Sequence, residues 1–143
     1  QLRIGEGSQK KGERMGKKKS MSGLVVATLS VAASEILTKM AVHENVYCHH
    51  MTVFFRPARA DYEETFGPHL GQKVALKVVG IAADEKGQAV VVEPLEGIPS
   101  NRTAHITVSC AEGTKPFYSN SLLESEVVPF ELELEAQIEF VHF

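Results

Sequence analysis

From residue 130 to residue 140 apolar and polar positions alternate without a break. Phe130, Leu132, Leu134, Ala136, Ile138 and Phe140 interleave with Glu131, Glu133, Glu135, Gln137 and Glu139. A period of two puts each set on its own face of a strand, one buried and one solvated. His142 continues the buried register as a partly packed terminal residue. Upstream, residues 24–31 read as a first strand and 33–42 as a short helix with Ile36, Leu37 and Met40 at helical spacing. Residues 46–55 read as a second strand ended by Arg56-Pro57, and 61–70 as a weak helix or loop. Strands follow at 73–82 and 89–93, joined by the turn Asp84-Glu85-Lys86-Gly87, and at 104–110. Asn120 is placed to cap a short helix through Leu123.

These elements fill one domain: the chain has 143 residues, and folded domains usually run to roughly 100–200. Residues 1–20 lack apolar periodicity and read as a disordered basic leader or an expression remnant, leaving 21–143 as the domain. A competing signal-peptide reading takes Lys17 to Lys19 with the apolar run behind them, but that run is β-branched and suits a strand. The run also falls short of the ~20 residues needed to span a bilayer, so no membrane partner is expected. Cys48 and Cys110 are too few for a disulfide framework, which points to a reduced, cytoplasmic setting.

The net charge of −3 hides an asymmetry. Residues 1–20 hold seven Lys and Arg against two Glu, a local +5, and the rest holds 8 basic against 16 acidic residues, or −8. So acidic a body repels a long phosphate backbone, which excludes extended duplex nucleic acid as the main ligand and leaves a small nucleotide or an RNA end.

Two short segments carry candidate chemistry. His50-Met51-Thr52-Val53 and His105-Ile106-Thr107-Val108 share the form histidine, apolar, threonine, valine, each inside an expected strand. Alternation puts His50 with Thr52 on one face, and His105 with Thr107 and Ser109 on another, with apolar residues behind. Side by side, such strands present two imidazoles and two hydroxyls across a cleft. This suits phosphodiester hydrolysis, in which one imidazole takes a proton from water and the other gives one to the leaving oxygen. With an ordinary pKa near ~6.5, histidine serves in both roles. The hydroxyls donate to the non-bridging phosphate oxygens, and no metal or other cofactor is required.

The duplicated motif resembles the 2H phosphoesterase superfamily, which includes RNA 2′,3′-cyclic phosphodiesterases. The stretch Gly113-Thr114-Lys115-Pro116-Phe117-Tyr118-Ser119-Asn120-Ser121-Leu122-Leu123 is similar to the sequence after the second motif in the branch related to RNA repair and tRNA ligases. The resemblance covers residues 22–143. It implies an α+β, bilobal fold with two pseudo-symmetric antiparallel-sheet lobes around a central cleft. It also implies His50 and His105 as catalytic residues, His105 as base and His50 as acid, with Thr52 and Thr107 binding phosphate. The partner would be a cyclic nucleotide or RNA terminus, taken by a monomer. Loops that close over substrate in many relatives are trimmed here.

Around this core stand weaker candidates. Arg102 and Lys115 flank the second motif and are placed to steer a phosphate, Ser109 shares its face, and Tyr118 or Phe117 offers a ring for a base. His49 is expected on the face opposite His50, and His43 and His69 in solvent. Cys48, on the His50 face, can be drawn into a zinc site or a thiol nucleophile, but it lacks the usual short ligand spacings and nothing in the sequence shows a lowered thiol pKa. The alternatives to an enzyme are a module that binds the same ligand without turnover, and an interaction protein offering its long acidic strand as an edge.

Overall fold

The structure is a computed structural model describing residues 20–143; the expected basic leader lies outside the described residues save for Ser20. Strand β1 (Gly23–Leu29) leads into helix α1 (Val31–Met40), then come β2 (Asn45–Val46) and β3 (His50–Phe55). A helical stretch follows, in which α2 (Arg59–Asp61) continues as a π turn (Tyr62–Phe66) and a 3-10 turn (Gly67–His69). Strands β4 (Lys73–Ala83), β5 (Gly87–Val92) and β6 (His105–Cys110) come next. A 3-10 turn (Pro116–Tyr118) runs into α3 (Ser119–Leu122), and β7 (Val128–His142) ends the chain. The fold is α+β, an antiparallel sheet curled into a half-barrel. The apolar run after Lys19 forms β1, paired on both sides, which replaces the signal-peptide reading with a core strand.

The strand order is β2-β6-β5-β4-β7-β1-β3. Strands β2 and β3 thus stand at opposite edges of the sheet, although only residues 47–49 separate them. A flat sheet would hold those edges six spacings of ~4.8 Å apart, about 29 Å. The four residue steps from Val46 to His50 reach at most about 14 Å. The sheet therefore curls until its edges approach. The link crosses between them: Tyr47 and Cys48 donate to Val108 and Thr107 on β6, while the carbonyl of His49 accepts from Leu29 on β1.

Inside the curl, alternate residues of every long strand make one core, among them Val25, Met51, Val53, Leu76, Val90, Ile106, Leu134 and Ile138, closed by Leu37 of α1 and by Phe66. Ser30 caps α1 by accepting from the backbone of Ala33 at 3.1 Å. The buried face of that helix is Ala33 and Leu37, whereas Ile36, expected inside, is 42% exposed. A smaller cluster of Ala82, Ala89 and Leu122 seats α3. The alternating C-terminal segment is strand β7, paired with β4 over its first part and with β1 over its last, so it runs within the strand order rather than at an outer edge. His142 ends that strand exposed, with its ring edge-on to Phe140.

A buried amide fixes the approach to β2. Gln88 is 3% exposed, and its Oε1 accepts from the Val42 backbone at 3.0 Å and from the Ser109 hydroxyl at 2.7 Å. Its Nε2 donates to the Met40 carbonyl at 3.0 Å, tying the end of α1 to β5 and β6. Leucine would fill the volume while stranding these groups, each at a cost of about 1–3 kcal/mol. Gln88→Leu is thus expected to lower unfolding stability by about 2–4 kcal/mol, read as a shift of the urea midpoint at constant slope. An unchanged midpoint would show that the amide stabilises nothing.

Candidate active site

Where the curl brings β3 toward β6, one cavity of about 450 Å³ opens, and His50, Thr52, His105 and Thr107 all line it. The burial pattern follows the alternation: Met51, Val53, Ile106 and Val108 are buried while the four polar residues are open or half-open. The volume falls within the range of small-molecule sites. A single phosphate leaves most of it free.

The two imidazoles differ. Nδ1 of His105 lies 2.8 Å from the Thr103 carbonyl, and since a carbonyl only accepts, Nδ1 carries the hydrogen. The neutral ring then keeps its lone pair on Nε2, the arrangement a general base needs. The pKa of His50 is pushed below its ordinary value, first by desolvation and then by the neighbouring charge of His49. Although His50 is exposed at the cavity, the protein packed about it disfavours the imidazolium until an anion arrives.

The loop before β6 holds its part of the site by staples to the free edge of β3. Asn101 accepts from the Phe55 backbone at 2.8 Å and donates back to its carbonyl at 3.0 Å. Arg102 lays its guanidinium over the Phe55 ring, 4.7 Å from the centroid, and among the described residues it is the one Lys or Arg that lines the cavity. Phe117 also lines it while 74% exposed.

Several expected site residues lie elsewhere. Ser109 is fully buried against Gln88 and the His43 backbone, because a bulge opposite Gln88 and Ala89 breaks the alternation after Thr107. Tyr118 donates its hydroxyl to Asp84 in the β4–β5 turn, which raises the tyrosine pKa and lowers that of the carboxyl. Lys115 is exposed but does not line the cavity. Asn120 is no cap; it sits inside α3, donates to the Phe117 carbonyl and lines the cavity. His43 is half-buried with its Nε2–H donating to Asp84 O, and His69 pairs with Gln72.

The segment 47–49 departs most from expectation. Cys48 takes the left-handed φ of 50°, which ends the alternation there. His49 consequently joins His50 at the cavity, and Cys48 turns into the core, its thiol donating to the Val108 carbonyl. Burial pushes both thiols up in pKa, against the nucleophile reading. Among the described residues no group of three His, Cys, Asp or Glu gathers to hold a metal ion. Tyr47 is a further wall residue that sequence patterning missed.

Comparison with known proteins gives a fold likeness. No family model matches the chain, and no curated protein does. Among solved structures, the crystal structure of a fungal RNA kinase is similar at a TM-score of 0.58 with 16% identity, over 90% of this chain and 47% of that one. The chain thus spans about half the length of that kinase and shares its fold.

Proposed function

We propose that this protein is a metal-independent phosphoesterase that opens a 2′,3′-cyclic phosphate on a nucleotide or RNA end. The observation that carries the reading is the convergence of two histidine-threonine pairs, from separate strands, on one cavity. Two titrating groups exceed what holding a phosphate requires, whereas they match the two proton transfers of ester hydrolysis. The similar solved structure, of an RNA kinase, supports an RNA-derived substrate. In this reading the strands carrying the two motifs belong to two pseudo-symmetric lobes.

Water gives its proton to Nε2 of His105 as its oxygen bonds to phosphorus. One ring P–O bond breaks, and the departing ribose oxygen takes a proton from His50, leaving a nucleoside monophosphate. Thr52 and Thr107 donate to the non-bridging oxygens, where charge gathers. His50 loads its proton in the complex, because the substrate anion opposes the desolvation that lowers its pKa in the free site. Phe117 and Arg102 receive the base and a neighbouring phosphate.

A panel of 2′,3′-cyclic nucleotides assayed with a chelator should show turnover. His50→Ala and His105→Ala should each lower it by about 10²–10⁴, the double variant by little more. Binding without turnover would make the cavity a recognition site instead. Phe117→Ala is expected to raise KM severalfold at nearly constant kcat, since the ring contacts a part of the substrate that does not react.

The acid role of His50 has its own test. The supply of protonated His50 limits kcat/KM where His50 is the acid, and His49 reduces that supply only while its own ring is charged. His49→Gln removes that charge, so kcat/KM should exceed wild type on the acid side of neutrality and converge with it at alkaline pH, where imidazoles are neutral in both proteins. An equal change at every pH would contradict His50 as the acid.

A further inference from the structure

Thr107 does not stand at the cavity alone. Its Oγ1 lies 2.8 Å from Ser119 Oγ, with the Pro116 carbonyl at a longer 3.4 Å. Ser119 opens α3 and is 2% exposed, out of reach of anything bound in the cavity. Among the described residues, Thr107 Oγ1 is the hydrogen-bond partner of the Ser119 hydroxyl.

A hydroxyl has one hydrogen to give and two lone pairs to receive with. If Thr107 gave its hydrogen to Ser119, it would show an anion only lone pairs, and the buried Ser119 hydrogen would lack an acceptor, a costly arrangement. With Ser119 donating instead, the Thr107 hydrogen has only the Pro116 carbonyl at 3.4 Å to compete with an anion in the cavity, and a bond that long yields to a charged acceptor. A chain from Ser119 through Thr107 to an anionic oxygen then polarises in one direction, each bond strengthening the next. Thr52 has no such support among the described side-chain hydrogen bonds, so the two motif hydroxyls are unequal.

We propose that Ser119 is a positioning residue, whose buried hydroxyl donates to Thr107 Oγ1 and commits Thr107 to donate to a phosphate oxygen. The inference rests on the phosphate-binding part of the proposed function and names the residue that sets the direction of one of its hydrogen bonds.

The test is a double-mutant cycle read in affinity. Binding of adenosine 2′-monophosphate is measured by calorimetry for wild type, Ser119→Ala, Ser119→Cys, Thr107→Val and the variants combining Thr107→Val with each Ser119 change. Cysteine keeps the buried volume but is a weak donor. Both Ser119 variants should bind about five- to tenfold more weakly, with Ser119→Cys as heat-stable as wild type. In the Thr107→Val background neither should weaken binding further. Ser119→Cys binding like wild type, or losses that multiply in the double variants, would overturn the proposal. If Ser119→Ala unfolds, the cysteine cycle decides. A wild type that binds the monophosphate but does not turn over cyclic substrate overturns the hydrolase reading alone, and the affinity cycle still judges Ser119.

Discussion

Three residues between two opposite edges of a sheet dictate the rest of this structure. The segment 47–49 leaves β2 beside β6 and enters β3 beside β1, and its reach is about half the distance a flat sheet would demand. Curling the sheet to satisfy that link creates the core on one side of the motif strands and the cavity on the other. His50 and His105 thus come together across the gap between edges rather than by pairing within the sheet. The nearness of the two imidazoles is a consequence of connectivity.

Small departures from regular strand geometry then set which side chains serve the cavity. The left-handed backbone at Cys48 moves that thiol into the core and brings His49 to the rim. The bulge in β6 ends the cavity-facing register at Thr107 and turns Ser109 to the Gln88 network. In the 3-10 turn, successive residues point about 120° apart. That phase gives Phe117 to the cavity and Tyr118 to Asp84.

These devices also explain what could be read in the sequence. The strands with strong alternation, β7 and the two motif strands, were legible, as were the shared faces of His50 with Thr52 and of His105 with Thr107, because alternation is local. Their meeting was not a matter of local pattern; it depends on strand order, and only the likeness of the two tetrads hinted at it. Residues 46–55 read as one strand because a cysteine carries no signal for a positive φ, unlike a glycine. The acidic face of β7 suggested an edge, yet a half-solvated strand occurs equally in the middle of an antiparallel sheet. Gln88 and Ser119 were invisible for a related reason, since their partners lie far along the chain or across an element boundary.

The central claim is that both imidazoles meet one anion, and side-chain nitrogen NMR observes this directly. In the free protein His105 should show its hydrogen on Nδ1, as its bond to Thr103 requires. On titration with a nucleoside 2′-monophosphate, the ring signals of His50 and His105 should move along one binding curve, with His50 gaining protonation as the anion fills the cavity. Movement of one ring alone, or two curves with different midpoints, would contradict the shared site.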